Sequence, residues 1–253
     1  MRHQVRAGVE DGSSWPHVVL GLDAASPAAV RLLQGLGRPF SRSYPDWLVL
    51  EMGVSRPGDM RPRIGRLSFD VAVLTRLGDR PPHLEAFGTR ERLLEETVLL
   101  LRALKPTGIA IVNGDDAELL AAVRRDLRGR RLVTYGFGPG ADVRARDVSI
   151  TYAAEGAVPE GMRFAIEEQG ASVTEVRLAG VLGRPPVYAG LAVAAVGRVV
   201  DMSSGEVARG LSRQTFRPGR MRILEGAGGR SSSTTPGTRR RSAWRRPSWP
   251  CGS

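Results

Sequence analysis

Lysine, cysteine and long apolar runs are scarce in this sequence. The shortages of cysteine and of apolar runs each exclude a class of protein. Lysine and arginine together number 37, of which Lys105 is the single lysine. Cys251 is the single cysteine, so an internal disulfide framework is excluded and a reducing compartment is favoured. No stretch reaches the roughly 18 apolar residues that a membrane-spanning helix needs, and the first nine residues have no apolar core of signal-peptide length. We therefore expect a cytoplasmic protein without a membrane partner.

The positive charge is concentrated at the C-terminal end. The net charge is +11 at pH 7, and a strongly basic balance is typical of nucleic-acid-binding proteins. Six of these charges come from residues 226–253, which contain no acidic residue; they are Arg230, Arg239, Arg240, Arg241, Arg245 and Arg246. The rest of the chain is only mildly basic, so we expect no specific nucleic-acid partner. The alternative, a basic nucleic-acid binder, predicts a steeply salt-dependent affinity that is lost with the tail.

A repeated pattern between residues 47 and 136 predicts an α/β fold. Short apolar runs that are continuous rather than alternating are typical of parallel strands covered on both faces. The runs are Trp47–Leu50, Val71–Leu74, Ile109–Val112 and Leu132–Tyr135. Helices are predicted between them, at Asp59–Gly65, Glu91–Leu104 and Ala117–Leu127. This alternation predicts a mainly parallel open sheet flanked by helices.

The next part of the chain predicts a short antiparallel edge of the same sheet. Three shorter strands separated by glycine-containing turns are predicted at Val148–Tyr152, Met162–Glu167 and Ser172–Leu178. Val187–Val200 is small and apolar, which predicts a packed helix, and Ser204 is expected to cap a further helix. Beyond Leu224 the composition turns to Gly, Ser, Thr, Pro and Arg, which predicts a disordered tail.

Polar residues follow three of the strand-like runs. Glu51, Thr75 and Asn113 come directly after them, and the carboxyl ends of parallel strands form the edge where open sheets bind ligands. Such residues can also serve only to end strands or cap helices. The pattern alone leaves both interpretations open.

Short segments around these residues form an ordered series. The segments are Glu51-Met52-Gly53, Thr75-Arg76-Leu77-Gly78, His83-Leu84-Glu85, Phe87-Gly88-Thr89, Asn113-Gly114-Asp115-Asp116 and Pro218-Gly219-Arg220-Met221, with Gly183 and Tyr188 before the last one. In this order the series resembles the Mur ligases, in particular the type that adds D-alanyl-D-alanine. The resemblance covers roughly residues 44–224.

The resemblance implies an ATP-dependent ligase that forms amide bonds during peptidoglycan precursor synthesis. The implied cofactors are ATP and Mg²⁺, and the implied substrates are a UDP-N-acetylmuramoyl peptide and an amino acid or D-Ala-D-Ala. By this likeness Glu51 and His83 would help to hold the metal. Asn113, Asp116 and Arg220 would bind the nucleotide. We expect a monomer.

The sequence departs from this family where phosphate is handled. The family's phosphate-binding loop contains Gly-Lys-Thr/Ser, whose backbone amides and ammonium group hold the β- and γ-phosphates. Gly21–Pro27 follows a strand-like run at residues 17–20 but contains no lysine. Thr97 stands where the family has a carbamate-bearing lysine, and Lys105 fits neither position. Two functions remain open: a ligase-like chain with little or no activity, and a noncatalytic nucleotide- or partner-binding module.

Three segments are expected along the chain. Residues 1–40 are interpreted as a truncated or replaced start, residues 41–224 as the central domain, and residues 225–253 as a disordered basic tail. Back-translated with GC-rich codons, the tail can read in a neighbouring frame as Val-Val-Ile-Asp-Asp-Thr-Trp-Asn-Ala, which resembles the start of the family's third domain. A frameshift near Gly229 is therefore one hypothesis and an ordinary basic tail is the other. The gene sequence distinguishes them.

Overall fold

The computed structural model describes residues 46–65, 67–153, 158–168 and 173–216, together with residues 5–8, 221–225 and 231–233. The chain divides into two units, Met1–Arg56 and Pro57–Ser253. The predicted strand at residues 17–20, the loop Gly21–Pro27 and Arg220 lie outside the described residues. In the first unit, β1 (Val5–Gly8) pairs in parallel with β2 (Trp47–Leu50), which forms at the residues predicted.

A six-stranded sheet forms the centre of the second unit. Its strands lie in chain order: β3 (Phe69–Leu74), β4 (Leu104–Asn113), β5 (Arg131–Gly136), β6 (Val143–Tyr152), β7 (Pro159–Glu168) and β8 (Thr174–Ala179). The pairings from β3 to β6 are parallel, and those from β6 to β8 are antiparallel. This topology confirms the predicted mainly parallel open sheet with an antiparallel edge.

The strand β6 begins earlier than the sequence predicted. It starts at Val143, and its pairing with β7 changes register between Arg146 and Ser149. Asp147 has a positive φ of 51° within this irregularity. A bulge interrupts the side-chain alternation that marks a strand, so only the second half of β6 was recognisable from the sequence.

Six α-helices occur in the described part of the chain. They are α1 (Met60–Ile64), α2 (Leu84–Phe87), α3 (Arg90–Val98), α4 (Ala117–Asp126), α5 (Arg184–Val199) and α6 (Ser204–Ser212). The predicted helix Glu91–Leu104 was too long, because Leu99–Ala103 forms a 3-10 turn and Leu104 begins β4. The leucine run there has no polar residue to mark where the helix ends. Within the described ranges, no helix is both long and apolar enough to cross a membrane.

The start of α6 differs by one residue from the prediction. Ser203 rather than Ser204 is the cap: its Oγ accepts from the Glu206 backbone N–H, and the Glu206 side chain accepts from the Ser203 backbone N–H. This reciprocal pair satisfies two amide groups that have no partner inside the helix. At the start of α5, Pro185 and Pro186 occupy the first turn, where a missing amide hydrogen costs nothing.

Apolar side chains cover both faces of the sheet. On one face Ile111, with other residues of β4 to β8, packs against α5 and α6. On the opposite face Ala110 and Val112 pack against α3 and α4. The alternation of these residues along β4 explains why its run is continuously apolar. Within the predicted tail, β10 (Ser231–Ser233) pairs antiparallel with β9 (Ile223–Glu225).

Candidate functional site

The carboxyl ends of β3, β4 and β5 form one edge of the central sheet. Thr75 directly follows β3, and Asn113 is the last residue of β4. Leu74 lies opposite Val112 in the parallel pairing, so Thr75 and Asn113 come to the same edge. Asn113 in turn lies opposite Tyr135 of β5. Glu51 follows β2 in the first unit, where its side chain is exposed.

Asn113 is fully buried at this edge and has an unused donor. Its exposed fraction is 0%, and its Oδ1 accepts from the backbone N–H of Asp115 at 3.0 Å. Its Nδ2 has no hydrogen-bond partner of ordinary geometry among the described residues. An unsatisfied buried donor costs about 1–3 kcal/mol, so such groups are rare unless a ligand, ion or water completes them. Asn113 is therefore the strongest single indication of a ligand position.

Asp115 ties three segments together beside Asn113. Its carboxylate accepts from the backbone N–H groups of Phe137 at 2.7 Å and Gly138 at 2.9 Å, and from the Tyr188 hydroxyl at 2.8 Å. A Cβ on Gly136 would lie 2.7 Å from the Asp115 Oδ1, so glycine is required for this close approach. These contacts fix the loops after β4 and β5 against α5.

Two aromatic rings and a guanidinium group lie next to this carboxylate. The Phe137 and Tyr188 rings are 4.8 Å apart at 76°, and the Arg184 Cζ is 4.4 Å from the centre of the Phe137 ring. Aromatic pairs prefer such edge-to-face geometry, and arginine is attracted to ring faces. Burial, helped by the hydrogen bond to Asp115, raises the pKa of Tyr188 to about 12. The phenol therefore remains a hydrogen-bond donor at neutral pH.

The burial of Tyr135 shows that the side chain of Asn113 is shielded from water. Burial raises the pKa of the Tyr135 phenol, and the adjacent Asn113 amide opposes part of that rise. The Tyr135 ring is 1% exposed. The amide of Asn113 thus lies in a largely water-free environment, where a polar ligand atom would form a strong hydrogen bond.

Asp116 has a structural role that was not predicted from the sequence. It caps α4, because its Oδ1 accepts from the Leu119 backbone N–H at 3.2 Å. Its Oδ2 accepts from the Leu77 backbone N–H at 3.0 Å and lies 3.5 Å from the Arg90 guanidinium group. These bonds join the loop after β3 to α4. A nucleotide contact by Asp116 stays a prediction.

The side chains that commonly bind metals are not clustered in the described part of the chain. No group of three or more His, Cys, Asp or Glu side chains in the described part of the chain is placed to hold an ion. His83 is exposed and has a φ of 62° at the start of α2. Thr97 donates its hydroxyl to the Leu93 carbonyl at 2.8 Å, so it supplies no anionic ligand. Metal binding by Glu51 and His83 stays a prediction.

Lys105 lies far from the carboxyl edge of the sheet. It is near the start of β4, where its Nζ is 2.6 Å from the Asp70 Oδ1. Leu104 lies opposite Phe69 and Val112 opposite Leu74, so Lys105 and Asn113 are about as far apart as Phe69 and Thr75 on β3, which is about 20 Å at the ordinary rise of a strand. The ammonium group of the single lysine therefore cannot approach a phosphate bound beside Asn113.

Sequence reasoning missed the roles of Asp115, Gly136 and Phe137. The signal for Asp115 was its place in Asn-Gly-Asp-Asp, but the motif does not say which carboxylate holds the neighbouring loops. Gly136-Phe137-Gly138 directly follows β5, and a glycine at the end of a parallel strand is a sign of close backbone approach. Only the structure shows that the group approaching Gly136 is the Asp115 carboxylate.

Comparison with known proteins agrees with this architecture. The model of the Mur ligase middle domain matches residues 27–196. The UDP-N-acetylmuramoyl-tripeptide–D-alanyl-D-alanine ligase of Bacillus subtilis is 29% identical over 164 residues, which is 65% of this chain and 32% of that protein. A UDP-N-acetylmuramate–L-alanine ligase of Novosphingobium aromaticivorans is 32% identical over 170 residues, again 65% of this chain and 32% of that protein. This chain thus spans about a third of the length of these relatives.

Solved structures show the same fold. A MurF ligase from Thermotoga maritima in complex with ADP superposes with a TM-score of 0.62 at 24% identity, over 90% of this chain and 52% of that one. A MurF from Acinetobacter baumannii gives a TM-score of 0.61 at 20% identity, over 88% of this chain and 48% of that one. Because the family model covers well over half of the sequence, the chain belongs to the Mur ligase family, through its middle domain.

Proposed function

We propose that this chain is the nucleotide-binding domain of a peptidoglycan-precursor ligase and that it binds ATP without completing amide-bond formation. The reaction from which it derives joins a UDP-N-acetylmuramoyl peptide to an amino acid or D-Ala-D-Ala, as the names of the relatives indicate. The observation that carries the proposal is the buried Asn113, whose Nδ2 lies beside the Tyr135 phenol but has no partner of ordinary hydrogen-bond geometry among the described residues.

The chemistry of Asn113 suits a purine base. Its Nδ2 donor can pair with a ring nitrogen of adenine, and asparagine amides are suited to the adenine edge. Since Asn113 is fully buried, the base reaches it only when neighbouring side chains move aside. The positive Arg184 at the start of α5 and the adjacent ring of Phe137 would then border the bound nucleotide.

The missing ammonium groups argue against phosphoryl transfer by this chain. Transfer of the terminal phosphoryl group needs positive charge held against the β- and γ-phosphates. The sequence contains no Gly-Lys-Thr/Ser segment, and Lys105 is about 20 Å along the sheet from Asn113. Thr97 cannot form a carbamate because it has no amine. Binding therefore occurs without turnover in this proposal.

Titration calorimetry with ATP, with and without Mg²⁺, tests the binding half of the proposal. The informative variant is Asn113→Asp, because it keeps the Oδ1 that accepts from Asp115 and removes the Nδ2 donor. We expect ATP binding that weakens at least tenfold in this variant. Asp79→Asn is the control, since its side chain is 91% exposed and pairs only with Arg76 in the described structure. Equal affinities for the three proteins would refute the role of Asn113.

Release of ADP tests the catalytic half. The purified chain is incubated with ATP, Mg²⁺, a UDP-N-acetylmuramoyl tripeptide and D-Ala-D-Ala, and each substrate is omitted in turn. We expect no ADP release that depends on both substrates. ADP release that requires both would show that the chain is an active ligase despite lacking the two lysines.

A further inference from the structure

A polar cavity lies on the face of the sheet that α3 and α4 cover. It is a groove of about 850 Å³ between α1, α3, the 3-10 turn and the end of α4. Six arginines line it: Arg61, Arg92, Arg102, Arg125, Arg128 and Arg130. We call it the arginine groove. Its volume lies in the range of small-molecule sites.

Four of these arginines have no ion-pair partner within bonding distance in the described structure. The guanidinium groups of Arg61, Arg92, Arg102 and Arg128 make no hydrogen bond or ion pair with any described residue, although other exposed arginines, such as Arg146, do. Like charges gathered at one concave surface repel each other, and an anion between them relieves that repulsion.

One of the remaining two arginines, Arg130, is held in place by the backbone. Arg130 donates its Nε to the Lys105 carbonyl at 3.0 Å, and its Nη1 to the Leu127 carbonyl at 3.4 Å. Arg125 lies 3.7 Å from the Asp126 carboxylate. The groove is therefore built partly from a guanidinium group that backbone carbonyls hold in place.

The position of the groove separates it from the nucleotide edge. Arg128 and Arg130 lie in the connection that leads into the amino end of β5, whereas Asn113 is at the carboxyl end of the parallel strand β4. Arg128 and Arg130 of the groove therefore lie at the opposite end of the sheet from Asn113. A ligand of the arginine groove is not the base-contacting part of a nucleotide held by Asn113.

Acidic side chains limit the kind of anion that fits. Glu95, Glu96 and Asp126 line the same groove, and the Glu96 carboxylate accepts from the Met60 backbone N–H at 2.7 Å. A long polyanion lying along the groove would pass close to these carboxylates and be repelled. A compact anion can instead lie among the four unpaired arginines. Guanidinium groups bind phosphate oxygens through paired hydrogen bonds, so an anion with several phosphate groups suits this set of arginines.

We propose that the arginine groove is a binding site for a compact oligophosphate, either free or as the phosphate chain of a nucleotide. The probe is inorganic tripolyphosphate, titrated into the full chain by calorimetry at two salt concentrations. We expect saturable binding that weakens as salt rises, because screening reduces the attraction between exposed charges. ATP is titrated in parallel to distinguish a free oligophosphate from a nucleotide source.

The test variant is Arg102→Gln combined with Arg128→Gln, both at exposed positions whose side chains hold no other element in place. Its matched control is Arg163→Gln combined with Arg213→Gln, which removes two equally unpaired exposed arginines outside the groove. We expect affinity for tripolyphosphate to fall at least tenfold in the test variant and less than twofold in the control. Circular dichroism of both variants verifies the fold.

Three results would overturn the proposal. One is the absence of saturable tripolyphosphate binding at moderate salt, and another is an equal loss in the control variant. The third is tighter binding of a 20-nucleotide single-stranded RNA through the same arginines, which would assign the groove to nucleic acid. We expect the Asn113→Asp variant to bind tripolyphosphate as tightly as the unmodified chain does. This result would show that the arginine groove and the Asn113 site are separate, so that either proposal can fail without the other.

Discussion

Replacing Asp115 with alanine should destabilise the second unit strongly. The substitution leaves the backbone N–H groups of Phe137 and Gly138 without their acceptor and removes the bond from the Tyr188 hydroxyl. A buried or partly buried amide without a partner costs about 1–2 kcal/mol, and a lost hydroxyl bond to a charged group about 1 kcal/mol more. We therefore expect the free energy of unfolding to fall by about 3–5 kcal/mol.

Urea unfolding followed by circular dichroism measures this loss. Asp79→Ala is the matched control, because its carboxylate is exposed and has only the surface pair with Arg76, for which about 0–1 kcal/mol is expected. Asp115→Asn keeps one carbonyl acceptor and should lie between the two. A loss below about 1 kcal/mol for Asp115→Ala would refute the view that this carboxylate holds the loops together.

Three further outcomes are expected. Gly161→Ala should lower the free energy of unfolding by more than about 2 kcal/mol in a urea titration, because its Cβ would lie 2.1 Å from the Leu178 carbonyl oxygen of the paired strand; an unchanged midpoint would contradict this. Ser203→Ala should cost about 1 kcal/mol by the same assay through loss of the reciprocal cap with Glu206, and no change would show that the cap is dispensable. The raised pKa of Tyr188, about 12 against an ordinary 10.0, means that the folded chain retains a proton that the unfolded chain releases above pH 10. This contribution to stability is complete below pH 10 and is lost as the pH rises toward 12, so Tyr188→Phe should show a flatter stability curve there.

The sheet was predictable because its strands have a distinctive composition. Runs such as Ile109–Val112 are apolar at every position because both faces of β4 are covered, and such a run can be recognised from the sequence alone. The ends of the helices and strands were harder to predict. The leucines at 99–101 continue a helical pattern into a 3-10 turn, and the bulge at Asp147 conceals the first half of β6.

The candidate site was predictable only in part. The place of Asn113 at a strand end indicated the correct edge, but burial of its amide and the missing partner of Nδ2 depend on packing from β5 and the following loop. The contact between Asp115 and Tyr188 joins residues that are 73 positions apart, and no local pattern encodes such a pairing. The arginine groove gathers side chains from four segments, so it was equally invisible in the sequence.

Asn113 is the single asparagine of the chain, and this allows a direct test of the proposed nucleotide site. Protein labelled with ¹⁵N only at asparagine gives one pair of side-chain amide signals by nuclear magnetic resonance, which report on the Nδ2 hydrogens without any mutation. Addition of ATP should shift this pair in a saturable manner, while tripolyphosphate should leave it in place. Signals that stay unchanged at saturating ATP, or that move equally with tripolyphosphate, would contradict base recognition by Asn113.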